Sequence, residues 1–123
     1  MRILIVVEFI EAPLFTQLLP DYSDDDYHEL QLFLTRDPDA DNVIPGTGGF
    51  RKLRWADRRR GKGKRGGLRV IFYNLVADTQ IWFMTVYDKD EASDLRSDEK
   101  RALKGAIEWE LAQRAARRKP RRT

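Results

Sequence analysis

Two runs rich in β-branched and aromatic residues, Leu68–Leu75 and Gln80–Tyr87, are separated by only the four residues Val76–Thr79. Their composition favours strands, and a connection that short suits an antiparallel hairpin. Over much of their length both runs are apolar on both faces. They are therefore expected to form the centre of a sheet, with neither face left to water. A chain of 123 residues supplies one modest core, so the remaining elements must be arranged around this hairpin.

Those elements can be read by their punctuation. Arg2–Phe9 is β-branched and apolar and reads as a buried strand. Pro13–Leu19 reads as a short helical turn ended by Pro20. Ser23 and Asp26 fit a capping box, and Asp24–Asp26 suit the positive end of a helix. Tyr27, Leu30, Phe33 and Leu34 give that helix an apolar face, and Asp37-Pro38 ends it. After the loop Pro45–Gly49, Phe50–Ala56 reads as a strand with Phe50, Lys52 and Arg54 on one face and Arg51, Leu53 and Trp55 on the other. Trp82, Met84 and Val86 are expected on one core-facing side of the last strand. Ser97 is a good N-cap for a final helix, where Ala102, Leu103, Ala106, Ile107 and Leu111 recur at helical spacing.

The expected order is strand, two helices, three antiparallel strands and one helix. This is a single small α+β domain with an antiparallel, mixed-edge sheet, N-terminal helices and a C-terminal helix. The helices are expected to group against one side of the sheet. Residues 1–114 make up the domain, and the polybasic residues 115–123 are expected to be a disordered tail.

The charge is unevenly distributed. Residues 1–50 carry two cations against ten carboxylates, whereas residues 51–70 carry ten cations against one. Such focused charge attracts polyanions, of which nucleic acid is the commonest. The basic stretch comprises Arg51, Lys52, Arg54, Arg58, Arg59, Arg60, Lys62, Lys64, Arg65 and Arg69, interleaved with Gly61, Gly63, Gly66 and Gly67. Glycines allow a backbone to approach a phosphate closely. If Phe50–Ala56 pairs with Leu68–Leu75, Arg54 falls roughly opposite Arg69 on one face. Like charges placed so are unfavourable alone, and a phosphate between them would reverse that sign. The bland alternative is a solvated basic loop.

Other classes recede. There is no cysteine, hence no disulfide framework and no thiolate chemistry. The apolar run Ile3–Val7 is too short for a signal peptide or a membrane span, and a cytoplasmic protein is expected. Gly46–Lys52 lacks the spacing of a P-loop. The lone His28 reads as a surface histidine, and Asp24–Asp26 as a helix N-terminus rather than metal ligands. Neither a metal nor another cofactor is expected.

Three ordered blocks resemble a known family. Gly46-Thr47-Gly48-Gly49-Phe50-Arg51-Lys52-Leu53-Arg54, then Gly61–Tyr73, then Thr85-Val86-Tyr87-Asp88-Lys89-Asp90-Glu91 look like the signature of the HigB branch of the RelE-like toxins. The resemblance covers residues 40–110 well and the N-terminal third loosely. It implies a RelE-like fold and the toxin of a type II toxin–antitoxin pair, an endoribonuclease that cleaves mRNA on the ribosome. Its implied partners are mRNA and ribosome, a cognate antitoxin often of helix-turn-helix type, and operator DNA only through that antitoxin. Carried over by position, the family's strand arginine matches Arg69. The preceding basic positions match Lys52, Arg54, Lys64 and Arg65, and the aromatic-plus-cation end of the last strand matches Tyr87 and Lys89. The chain departs from the pattern at Asp88, where Gly or Ala is expected, and at Asp90, where Asn is common.

Cleavage through the 2′-oxygen needs a proton acceptor, neutralisation of phosphoryl charge and a proton donor for the departing 5′-oxygen. Arg69, Arg54 and Arg65 suit the neutralising role, Tyr87, Lys52 or Lys89 the proton transfers. Arg58, Arg59, Arg60, Lys62 and Lys64, with Lys52, would bind RNA. Three rivals stand beside this reading: an RNA- or ribosome-binding module without catalysis, a DNA-binding regulator, and an inactive relic of the same fold that binds RNA, ribosome or antitoxin.

Overall fold

The computed structural model describes residues 6–19, 24–57, 67–89 and 94–118. Its elements are β1 (Glu8–Glu11), α1 (Pro13–Leu18), α2 (Asp24–Arg36), β2 (Asn42–Val43), β3 (Arg51–Trp55), β4 (Leu68–Leu75), β5 (Gln80–Asp88) and α3 (Ser97–Arg118). The five strands form one sheet in the order β1-β5-β4-β3-β2. Only the β1–β5 pair is parallel; the rest are antiparallel. The α+β architecture with a mixed edge is therefore as expected, and β4 and β5 do occupy interior positions. A 3₁₀ turn at Val76–Asp78, closed by Thr79 in the left-handed region at φ 53°, joins them.

The helices do not share one side of the sheet. Phe15 of α1 and Leu30 and Leu34 of α2 pack with Leu53, Val70, Phe72, Ile81 and Phe83 on one face. Ile107 and Leu103 of α3 pack with Phe50, Ile71, Leu75 and Trp82 on the other. The reason lies in the central strands themselves. A hairpin apolar on both faces needs cover on both, and one group of helices can screen only one.

The first strand also differs from expectation. Among the described residues it begins at Glu8 and lies at the edge, with no fully buried residue; Arg2–Ile5 of the expected buried strand lie outside them. Carboxylates explain this. Glu8 accepts a hydrogen bond from the Gln80 side chain. Glu11 accepts one from Thr16 Oγ1 at 2.9 Å and one from Tyr27 Oη at 2.8 Å, so its charge ties α1 and α2 to the sheet edge. The two-residue strand β2 was not foreseen. It pairs Asn42 with Lys52 and Val43 with Arg51, and Arg51 donates to the carbonyls of Asp39 and Asp41 at 2.9 and 3.1 Å.

The turn between β2 and β3 is closed by its own groups rather than left open for a ligand. Thr47, fully buried, donates to the Ile44 carbonyl at 2.7 Å and accepts from the Phe50 amide at 3.1 Å. Gly48 lies at φ +78°, and a Cβ there would stand 3.0 Å from Ile107 Cγ2, so this glycine serves helix packing.

Ser97 is the first residue of α3 rather than its cap. Arg96 holds the capping position, and its amide donates to Glu99 Oε1 at 2.8 Å, the back-reaching half of a capping box. The helix also runs past Arg114 to Arg118, so residues 115–118 are not a disordered tail. Arg114 donates to Asp78 at 2.8 Å and to Glu110 at 3.0 Å, and Arg118 also pairs with Asp78. A tertiary carboxylate at the β4–β5 turn thus holds the last helical turn. Residues 119–123 lie outside the described part.

Phe83 is the centre of the first core. It is fully buried and stacks on Phe15 at a centroid distance of 4.7 Å and on Phe9 at 5.6 Å. Phe83→Ala should destabilise the fold by about 3–5 kcal/mol. Trp109→Ala, at an aromatic ring 64% exposed, should cost about 0.5 kcal/mol or less. Urea denaturation of the two variants checks both values.

Candidate functional site

Strand register assembles the site. Arg54 of β3 is the Cα partner of Arg69 of β4, and Arg69 is the partner of Tyr87 of β5. Directly opposed residues share a face of the sheet, so these three side chains form one row across three strands, on the face that α3 covers. Lys52 lies two residues before Arg54 on the same face, in the row with Ile71 and Thr85.

Tyr87 reaches this face because β5 contains an extra residue. Ile71 pairs with Thr85 and Phe72 with Phe83, leaving Met84 unmatched. A bulge of this kind shifts the alternation by one. Before it, Trp82 faces α3 with Met84; after it, Thr85 and Tyr87 do, and Val86 turns to the opposite core. Trp82, Met84 and Val86 therefore do not share a face, contrary to the alternation read from sequence. The same shift bears on Asp88. It lies in the row with Leu68 and Trp55, on the far side of the sheet from Tyr87, and so adds no carboxylate to the row. Asp90 lies outside the described residues.

The row is graded in exposure. Arg54 is exposed, and its amide donates to Asp41 Oδ2 at 3.2 Å. Arg69 is only 7% exposed, and its Nη1 donates to the Leu68 carbonyl at 3.3 Å. Tyr87 carries a buried hydroxyl with no hydrogen-bond partner among the described residues. Burial pushes this phenol above its ordinary value; Asp94 adds to the rise, Arg69 opposes it, and Glu99 raises it further. The group is a proton donor held in its protonated form. A buried hydroxyl left unpaired is costly and marks where a bound polar group would be stabilised.

Two depressions flank the row. An apolar groove of about 450 Å³ runs over Met84–Tyr87, walled by Leu14 and Leu18 of α1 and by Leu95, Ala102 and Leu103 on the other side. A polar cleft of about 210 Å³ opens between the β2 segment Asp41–Pro45, Lys52 and Arg54 of β3, and Asp94 and Lys100. Asp94 borders both. Its carboxylate stands 3.9 Å from Lys52 Nζ and 3.9 Å from Lys100 Nζ.

Of the residues expected from sequence, Arg54, Arg69, Tyr87 and Lys52 are brought together. Lys89 is exposed just beyond β5, its amide donating to the Gly67 carbonyl at 3.2 Å. Arg58, Arg59, Arg60, Lys62, Lys64 and Arg65 lie outside the described residues. His28 is exposed on α2, across the sheet from the row. Among the described residues no group of three or more His, Asp or Glu side chains could hold a metal ion, and no helix is long and apolar enough to cross a membrane. Lys100 and Asp94 were missed. Lys100 sits three and seven residues before Leu103 and Ile107, on their helical stripe, which was a usable signal. Asp94 had none, because only the chain's path into α3 brings it to the lysines. No protein-family model matches the chain.

The raised Tyr87 pKa has a testable sign. The folded value lies above the unfolded one, so its contribution to stability is full below about pH 10 and is lost as pH climbs through the folded value. Spectrophotometric titration of parent and Tyr87→Phe should differ by one phenolate step above pH 10. A missing step at or below pH 10 would contradict the environment described.

Proposed function

We propose that this protein is the toxin of a type II toxin–antitoxin pair, a cytoplasmic endoribonuclease that needs no metal and cuts mRNA held on the ribosome. The observation that carries this reading is the row Arg54–Arg69–Tyr87 with Lys52 beside it. Two guanidinium groups, themselves two of the ten cations of residues 51–70, and a protonated phenol on one sheet face are suited to a phosphodiester.

In the proposed reaction the 2′-oxygen of one nucleotide attacks the adjacent phosphorus while a lysine, Lys52 or Lys89, accepts its proton. The P–O5′ bond breaks, leaving a 2′,3′-cyclic phosphate on one fragment. Arg69 and Arg54 neutralise charge growing on the phosphoryl oxygens, an interaction strongest in the transition state. Arg65 belongs with them by resemblance. Tyr87 donates its proton to the departing 5′-oxygen and so releases a 5′-hydroxyl. A phenol raised above its ordinary value is a sluggish acid. Slow cleavage of free RNA follows, and a ribosome that presents the message in a reactive shape supplies the missing factor by positioning. Arg58, Arg59, Arg60, Lys62 and Lys64 belong in this proposal as RNA-binding groups, and a helix-turn-helix antitoxin as the neutralising partner that carries the pair to operator DNA.

One observation favours a second reading. The Tyr87 hydroxyl is enclosed, as it would be in a relic that binds RNA or antitoxin without cutting. Induction in growing bacteria separates the two, with mRNA 5′ ends mapped. The parent should arrest growth and leave cuts phased to the reading frame, Arg69→Ala should abolish both, and Tyr87→Phe should slow cleavage by about 10²-fold or more. Arrest without new 5′ ends, unchanged in Tyr87→Phe, would favour the relic; no arrest and no cuts would remove the toxin reading.

A further inference from the structure

The cleft beside the row contains more cation than its own carboxylates engage. Lys52 from β3 and Lys100 from α3, each with roughly a quarter of its side chain exposed, converge on a single carboxylate, Asp94. Both separations are 3.9 Å, well beyond the ~2.7–2.9 Å of a direct charge-assisted hydrogen bond. Among the described residues the carboxylate's one short contact is local, the Leu95 amide donating to Oδ1 at 2.8 Å. Arg54 lines the same cleft, and its guanidinium forms no ion pair among the described residues. The other lining carboxylate, Asp41, is occupied by the Arg54 amide. At about 210 Å³ the space is several times the ~30 Å³ share of a water. The Asp94 carboxylate meets the two lysines only at 3.9 Å, whereas a backbone phosphate is larger and presents its oxygens on a tetrahedron that can span the space between them.

We propose that Lys100 extends the Lys52–Arg54 flank of the row and seats the RNA phosphate next to the scissile one, in a place that the Asp94 carboxylate fills in the free protein and vacates when RNA binds. The proposal rests on the RNA-binding reading above and adds to it a contact from α3 and a displaceable occupant. Asp94 also borders the groove over Tyr87, so the seat adjoins the groove that holds the phenol.

The test is anisotropy with a fluorescent 2′-O-methyl RNA oligonucleotide, which lacks the attacking hydroxyl, on the full chain across a salt series. Asp94→Asn keeps the acceptor for the Leu95 amide and should tighten binding by about threefold or more. Lys100→Gln should weaken it by about three- to tenfold and lower the slope of log K against log salt by about 0.7, one phosphate contact on a single strand. Lys100→Arg should keep most of the slope. Melting curves of all variants show whether the fold is intact. Unchanged or weaker binding in folded Asp94→Asn, or an unchanged slope in folded Lys100→Gln, overturns the seat while the parent's binding leaves the broader reading standing. A parent that binds no RNA overturns both.

Discussion

The unmatched residue Met84 in β5 decides on which face of the sheet Tyr87 lies. Strand side chains alternate with a period of two, so any residue inserted into a ladder moves everything beyond it to the opposite face. Without the insertion Tyr87 would stand opposite Leu68, in the row with Trp55 and on the side of the first core. With it, the phenol stands in register with Arg69 and Arg54, and Asp88 is turned away from both guanidinium groups. The bulge also coincides with the end of the β1 pairing, since β1 stops at Glu11 opposite Phe83. Past that point β5 has no outer strand partner among the described residues, and the groove under α1 and α3 begins there.

The two cores place the row against a rigid support. One is built around Phe83 and the stacked rings of α1 and β1; the other joins α3 to Phe50, Ile71 and Leu75. The second is anchored at both ends of the helix. Glu99 and the tight contact of Ile107 with Gly48 fix its start and middle, and Asp78 holds Arg114 and Arg118 at its end. A helix held this way keeps Lys100 and the segment before it over the cationic end of the sheet. Rigid placement of charge matters because a guanidinium that need not reorganise stabilises developing charge more than a mobile one does.

Not every cation in the basic stretch is available to a ligand. Arg51 is spent on the carbonyls of Asp39 and Asp41, on the face away from α3, and Asp39 also accepts from Asn74. Part of the acidic N-terminal half is thus used to fix β2 and the approach to β3. Charge opposition between the two halves of the chain is partly structural, and among the described residues Lys52 and Arg54 gather with Lys100 around one cleft.

From the sequence alone came the central hairpin, the helix boundaries at Pro13 and Asp37-Pro38, the segregation of charge and the opposition of Arg54 to Arg69, because each follows from local composition or from pairing across a short span. Tertiary structure decided the rest. A bulge leaves no mark in composition, since Met84 is as apolar as its neighbours, and only the partner strand shows that a residue is unmatched. Cover for both faces of the hairpin, the helical turn held by Asp78, and the meeting of Lys52, Lys100 and Asp94 all join residues far apart in the chain. Such contacts are set by how hydrophobic faces pack, and one-dimensional order does not encode that geometry locally.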